Sequence, residues 1–267
     1  MKRPSLGTGG ALLLLLMSLG GCAQLFEFNL FQSLDPVPLP TTEELDAMSE
    51  EEALSYLQEE LASPVFVEKL LEDEATFAAV DGILAASMTG SADPESRKRA
   101  AVLYADLHLA ASGAAEAVNN ASALLGLDPA SLEFSDEAAV VAFLQELLPQ
   151  IVPPEALASQ AAFDALLTGF QEAWAGHCEF AAALGDPPEA PEGVNLGDVA
   201  QKALFSFLVY EALRPESLYA TEEAARAALW DAARGMGPAT PGYGGFTDPF
   251  VTGTPLQDIL DAAGVSF

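Results

Sequence analysis

The longest helical pattern in the sequence is residues 155–184, EALASQAAFDALLTGFQEAWAGHCEFAAAL. Apolar side chains recur in it at intervals of three and four residues, which is the spacing of one face of an α-helix. These side chains are Phe163, Leu166, Leu167, Phe170, Trp174 and Ala181. The pattern predicts a long amphipathic helix whose apolar face is covered by other helices.

The segment Gly197–Leu213 is the predicted partner of this helix. Its apolar residues surround the helix instead of keeping to one face: Val199, Leu204, Phe205, Phe207, Leu208, Val209 and Leu213. A helix that is apolar on every side is expected to lie in the interior of a protein. We therefore expect Gly197–Leu213 to be central and to pack against residues 155–184.

Residues that cap helices mark helix starts elsewhere in the chain. Thr41 with Glu44, and Ser49 with Glu52, match the capping-box spacing and open a predicted helical stretch that ends near Ala62. Further helices are predicted over residues 65–88, from Asp93-Pro94 to a break or bend at Gly113, from Ser135 to Ile151, from Thr221 to Arg234, and over residues 256–263.

The predicted fold class is all-α, an irregular bundle of about seven to nine helices without a substantial sheet. No segment shows sustained alternation of β-branched residues between hairpin turns. The helix starts do not recur at a fixed period, which disfavours a regular solenoid.

Composition excludes several classes of protein. The chain has 267 residues, 51% of them hydrophobic, and 40 acidic against 10 basic side chains give a formal net charge of -30. So large an apolar fraction supports a packed core and excludes an acidic disordered polymer. Basic residues are scattered apart from Arg97-Lys98-Arg99, so nucleic acid is not an expected partner. Because the negative charge also opposes adhesion to anionic lipids, any membrane attachment must be covalent or apolar.

The first 22 residues have the order of parts of a secretory signal. Lys2 and Arg3 precede an apolar run at residues 11–17, which is shorter than the roughly 20 residues of a membrane-spanning helix. The sequence LGGC then occupies residues 19–22. This order indicates a targeting segment rather than a part of the fold.

The same segment resembles that of bacterial lipoprotein precursors, whose lipobox is a Leu, two small residues and a Cys. The resemblance covers residues 1–22 alone and implies cleavage between Gly21 and Cys22, a diacylglycerol on the Cys22 sulfur, and an acyl chain such as palmitate on its amino group. Two or more buried acyl chains make a stable anchor. The resemblance further implies a location outside the cytoplasm, facing the periplasm or the cell surface, and the sorting of enterobacterial lipoproteins implies the outer membrane for a chain with Ala23 after the cysteine. The alternatives are a plain signal peptide with Cys22 unmodified, and an uncleaved anchor.

The predicted organisation has three parts. Residues 1–21 are the signal peptide, and residues 22–42 are a lipidated, Pro-rich tether whose alternating prolines favour an extended path. Residues 43–267 form a single helical domain. Within that domain, residues 235–255 are rich in Gly and Pro and are predicted to be a loop packed by its aromatic residues.

A base and a nucleophile adjoin at His177-Cys178. Neighbouring helix positions point about 100° apart, so the two are not expected to act as a catalytic dyad. They follow Trp174 by three and four residues, where a half-buried His and a small core Cys are the ordinary outcome. We name His177, Cys178 and Trp174, with Tyr243 and Phe246 of the loop, as candidate contacts for a ligand or protein partner.

No metal, cofactor or catalytic residue is predicted. Cys178 is the one thiol left once Cys22 is lipidated, and His108, expected to be a packed or surface histidine, gives no zinc spacing with His177. The acidic runs lack the loop that fixes calcium. Arg97-Lys98-Arg99 is either a contact for an anion or partner or, more commonly, a set of surface ion pairs.

Two functions stay open from the sequence. The first is a membrane-anchored, non-enzymatic helical scaffold that presents its surface to a protein partner. The second is a carrier that encloses a small apolar or lipid-like ligand. A closed apolar cavity on the order of several hundred Å3 favours the carrier, and a solid core favours the scaffold. An enzyme ranks third, because the sequence contains no phosphate loop, dinucleotide motif or nucleophile elbow.

Overall fold

A computed structural model of the chain describes residues 38–124, 137–185, 187–237, 241–242, 244–247 and 253–265. These residues contain eleven α-helices and no strand, so the all-α prediction is confirmed. In chain order the helices are α1 (Thr42–Ala47), α2 (Glu50–Glu60), α3 (Pro64–Glu72), α4 (Glu74–Gly90), α5 (Pro94–Ala111), α6 (Ala114–Leu124), α7 (Glu137–Ile151), α8 (Gln160–Ala183), α9 (Leu196–Leu213), α10 (Glu222–Ala233) and α11 (Pro255–Ala262). The described residues from Leu39 onward belong to one compact unit.

The helix count exceeds the predicted seven to nine because two predicted stretches are each divided and a separate helix, α6, follows the break at Gly113. Ser49 begins α2 with its own cap two residues after α1 ends. Asp73 has an extended backbone that ends α3, and its side chain accepts a hydrogen bond from the Thr76 amide at 3.0 Å, which begins α4. A residue that caps one helix in an extended conformation cannot also continue the preceding helix. The break expected at Gly113 is confirmed, since this residue has a φ of +76° between α5 and α6.

Side-chain caps confirm most of the helix starts that the sequence predicts. The capping boxes of Thr41 with Glu44 and of Ser49 with Glu52 are both formed in full. Asp93 caps α5, whose first residue is proline, and Thr221 caps α10. Each cap satisfies backbone N–H groups that have no partner within the helix.

Helix α8 is the centre of the bundle, and its predicted apolar face is buried. Its most extensive neighbour is α5, whereas α9 and α11 cover other sides. The expectation that α9 is the chief partner of α8 and is buried all round is therefore corrected. On α9, Leu204 and Val209 are half-buried and Tyr210 is exposed.

Two glycines of α8 allow the close approach of α5. A Cβ atom on Gly176 would lie 2.8 Å from the carbonyl oxygen of Ala101 and 3.2 Å from the Cβ atom of Ala105. A Cβ atom on Gly169 would lie 1.8 Å from the Oγ atom of Ser112. Such contacts are shorter than close packing permits, so the backbones meet where any larger residue would separate them. The small residues at the crossing thus let α5 lie closer to α8 than larger side chains would allow.

The remaining helices pack around this pair. Helix α4 lies along α5, and α1–α3 pack on α4 and α5. Helices α7 and α10 pack against each other and belong to a core cluster that also includes residues of α5, α6, α8 and α9. Burying this cluster removes a large apolar area from water and is the main stabilising contribution.

The described part of the predicted loop is held at the end of α9. The Arg214 guanidinium donates to the Glu211 carboxylate, with Nη2 2.9 Å from Oε2, and also to the carbonyl oxygen of Gly245. The Thr247 amide donates to the same Glu211 carboxylate at 3.1 Å. Glu211 is 4% exposed, so these donors take the place of water around its carboxylate. Phe246 packs against the core cluster.

We predict that Gly176→Ala destabilises the protein by about 1–3 kcal/mol, because the new methyl group overpacks the α5–α8 crossing. The matched control is Gly82→Ala in α4, where a Cβ atom meets nothing within 4 Å. This control should stabilise the protein by about 0.5–1 kcal/mol through the higher helix propensity of Ala. Urea unfolding followed by circular dichroism measures both. Equal midpoints for the two variants would show that the crossing is not closely packed.

Candidate functional site

His177 and Trp174 lie on the side of α8 that meets α9. The Trp174 ring packs against two aromatic rings of α9, with centroids 5.1 Å from Phe207 and 6.2 Å from Tyr210. Trp174 is 5% exposed and His177 1% exposed. Because residues three apart share a helix face, both side chains belong to the α8–α9 contact rather than to the outer surface.

The imidazole of His177 has no hydrogen-bond partner on either nitrogen. Burial lowers its pKa to about 3, and the nearby positive charge of Lys202 contributes. The ring is therefore uncharged at neutral pH. A buried polar group without a partner is uncommon and costs free energy.

Lys202 of α9 joins two acidic residues beside this histidine. Its ammonium lies 2.8 Å from Oδ1 of Asp106 on α5 and 2.6 Å from Oδ2 of Asp198 on α9. Burial acts to lower the pKa of Lys202, but the two carboxylates outweigh it and raise that pKa above its ordinary value. Lys202 therefore keeps its positive charge next to a neutral imidazole. Burial raises the pKa of Asp106 above its ordinary value, although the Lys202 ammonium acts to lower it.

Cys178 does not form a reactive pair with His177. Burial, with a smaller effect of Glu179, raises the pKa of the Cys178 thiol to about 11. Both imidazole nitrogens of His177 are without a partner, so no hydrogen bond joins them to the sulfur. A thiol that stays protonated and lacks a bonded base is a weak nucleophile.

The other residues predicted to contact a ligand or partner are not found beside His177. Phe246 lies in the segment held by Arg214, whereas Tyr243, Gly21 and Cys22 lie outside the described residues. Lys202, Asp106 and Asp198 are not among the residues that the sequence predicts. The spacing of Asp198 and Lys202, four residues apart on one helix, is a readable signal for their ion pair. Nothing local in the sequence connects Asp106 with either of them.

A second polar cluster links α5 to α4 and α8. The Nε2 atom of His108 lies 2.8 Å from Oδ1 of Asp81, and the Tyr104 hydroxyl donates to Oε2 of Glu172 at 2.9 Å. The Tyr104 and His108 rings are in contact, with centroids 4.3 Å apart. Burial and the Glu172 carboxylate raise the pKa of Tyr104, which keeps its proton for this hydrogen bond. His108 is thus a packed histidine with a partner.

The run Arg97-Lys98-Arg99 contacts its own chain. The Arg97 guanidinium lies 3.8 Å from the Glu179 carboxylate. The buried Lys98 ammonium binds Glu95 and donates to the carbonyl oxygen of Glu189 at 2.9 Å. Arg99 donates to the Ser55 hydroxyl at 3.3 Å. These contacts join α5 to α8 and α2 and to the segment before α9.

Neither a metal site nor a known relative assigns a function to these clusters. Among the described residues, no group of three or more His, Cys, Asp or Glu side chains is placed to hold a metal ion. None of the helices in the described ranges has both the length and the apolarity needed to cross a membrane. No protein-family model matches the chain, and no curated protein or solved structure does either.

We predict that Cys178 reacts slowly with a thiol reagent in the folded protein. In a Cys22→Ser variant Cys178 is the single thiol of the chain. Raising its pKa from 9.0 to about 11 lowers the thiolate fraction about 100-fold at pH 8. The same variant unfolded in urea is the control and should react at the rate of a free cysteine. Equal rates in the two states would contradict the burial of this thiol.

Proposed function

We propose that this protein is a bacterial lipoprotein, anchored outside the cytoplasm through Cys22, whose helical body is a non-enzymatic scaffold for a protein partner. The anchor is supported by the lipobox residues Leu19-Gly20-Gly21-Cys22. Acyl chains on Cys22 would hold the protein at a membrane without a spanning helix. The Pro-rich residues 22–42 would then separate the helical body from the bilayer.

The observation that carries the scaffold function is the packing of the interior. The apolar cavity between α6, α7, α8 and α9 has a volume of about 30 Å3. Its lining includes Ala117, Leu144, Leu148, Phe170 and Leu208. An apolar cavity needs roughly 150 Å3 to hold benzene, and drug-sized ligands occupy pockets of about 300 Å3 or more. This cavity is too small for a lipid-like ligand, which favours the scaffold over the carrier.

The arrangement of charge favours a partner with a basic surface. Basic side chains in ion pairs with acidic residues of the same chain are Arg97, Lys98, Lys202, Arg214, Arg226 and Arg234. Since acidic side chains outnumber basic ones by 40 to 10, many carboxylates remain without such a partner. A surface field of one sign speeds encounter with proteins of the opposite charge and discourages acidic ones.

Native mass spectrometry of the protein extracted in detergent from its host tests both parts of this proposal. We expect a chain that begins at Cys22, a mass increase equal to a diacylglycerol plus an acyl chain, and a second polypeptide with a basic surface. A Cys22→Ser variant is the control, because it should lack the lipid mass.

The outcomes separate the anchor from the scaffold. An unmodified Cys22 in the extracted protein would contradict the lipid anchor. A bound small apolar molecule in place of a polypeptide would contradict the scaffold and favour the carrier. The two failures are independent, because lipid mass and partner mass are read separately in the same spectrum.

A further inference from the structure

The three central helices bring four chemically distinct side chains together. Asp106 comes from α5, His177 from α8, and Lys202 with Asp198 from α9. Lys202 bridges the two carboxylates at 2.8 Å and 2.6 Å, whereas the imidazole of His177 has no partner at all. The site therefore contains an imidazole without a hydrogen-bond partner and, beside it, one ammonium shared by two carboxylates.

An imidazolium cannot be accommodated where the neutral ring now lies. A buried charge needs a counter-ion or water, and His177 is 1% exposed. The two carboxylates of the cluster, Asp106 and Asp198, already share the Lys202 ammonium, and burial raises the pKa of Asp106 and so disfavours its negative charge. The Lys202 ammonium would in addition repel a second positive charge.

Other charged groups on the surrounding helices do not supply a counter-ion. On α11, Asp258 and Asp261 are exposed. Acidic residues of α8, α5 and α4 that are bonded elsewhere are Glu172 with Tyr104, Glu179 with Arg97, Glu95 with Lys98, and Asp81 with His108. On α10, Glu222 and Asp231 pair with Arg226 and Arg234. Proton uptake by His177 must then open a path to water.

The side on which the protein opens follows from the packing. Helix α5 meets α8 through Gly176 and Ala101 with almost no side chain between the backbones. Helix α9 is held against the same part of α8 by side chains, among them Trp174 and Phe207. It also carries the Lys202 ammonium. Separating α9 from α8 therefore disturbs fewer close contacts than separating α5.

We propose that His177 makes the α8–α9 contact acid-sensitive: when its imidazole takes up a proton, α9 separates from α8 and Trp174 becomes accessible to water. This acid-induced separation of α9 from α8 does not require the lipid anchor or the protein partner. It gives the protein a closed state at neutral pH and an open state, with an exposed apolar surface on α8 and α9, in acid.

The direction of the pH dependence follows from proton linkage. The ordinary pKa of the imidazole is 6.5, and in the closed protein it is about 3. Since the open state binds the proton more strongly, opening is favoured as the pH falls below about 6.5. The ratio of open to closed protein should rise about tenfold for each pH unit, until the pH approaches the pKa of the closed state.

Trp174 reports the opening, because the chain has two tryptophans and Trp230→Phe leaves Trp174 alone. In this background we would measure acrylamide quenching from pH 7 to pH 4, with circular dichroism to follow helix content. We expect quenching to increase progressively as the pH falls from about 6.5 to 4, while the helix content is retained. His177→Leu should shift the onset by about one pH unit or more to lower pH. His108→Gln is the matched control and should follow the parent.

Two results would overturn the proposal. One is the same onset of quenching in His177→Leu as in the parent. The other is an increase in the quenching of Trp174 that coincides with a loss of helix content, because this would indicate global acid unfolding. If His177→Leu does not fold, NMR of the parent histidine rings replaces it. We then expect protonated His177 only in the state with exposed Trp174, and titration near pH 6.5 with Trp174 still buried would contradict the proposal.

Discussion

The close crossing of α5 and α8 is the contact on which the rest of the structure depends. Gly169 and Gly176 of α8 have no side chain where Ala101 and Ala105 of α5, and Ser112 directly after α5, approach. Short backbone separation leaves no room for repacking, so this pair sets the positions of the helices around it. Helices α9 and α11 then cover other sides of α8, and α4 lies along α5.

The burial of polar side chains near the α5–α8 crossing is a consequence of the same close packing. A helix covered on several sides buries side chains whatever their polarity, and His177 lies at such a position. Its neighbour Lys202 is compensated by Asp106 and Asp198, but the imidazole is not compensated. A protein with a strongly acidic surface thus has, in its interior, a group that tolerates only the uncharged form. Acid therefore has two opposite effects on stability. Protonation of the excess surface carboxylates relieves their mutual repulsion, whereas protonation of the buried histidine disrupts the packing around it.

The sequence predicts features that lie within a single helix, but it does not predict which helices pack against each other. Capping boxes at Thr41 and Ser49 and the apolar face of α8 follow from residue spacing within a single helix. The division at Asp73 was missed, because an aspartate inside a helical pattern does not reveal by itself that its backbone is extended. The choice of α5 as the main neighbour of α8 depends on small residues in two distant segments, and apolar periodicity carries no information about which faces meet.

The same distinction applies to the candidate site. His177, Cys178 and Trp174 attract notice as residue types, and their position on the apolar face indicates burial. The ammonium and carboxylates beside His177 come from other helices, and Asp106 and Lys202 are brought together only by the fold. The missing hydrogen-bond partners of the imidazole are likewise a property of three helices together. Sequence patterns therefore identify the buried histidine. They do not identify the charged neighbours and the missing hydrogen bonds on which the effect of its protonation depends.

Native-state hydrogen exchange tests most directly whether the α5–α8 crossing is the last contact to be lost. Amides near the middle of both helices should exchange only by global unfolding, with the same free energy and the same urea dependence for the two helices. Those of α9 should exchange through a smaller opening. Exchange of α5 and α8 at a lower free energy than α7 and α10 would contradict the account.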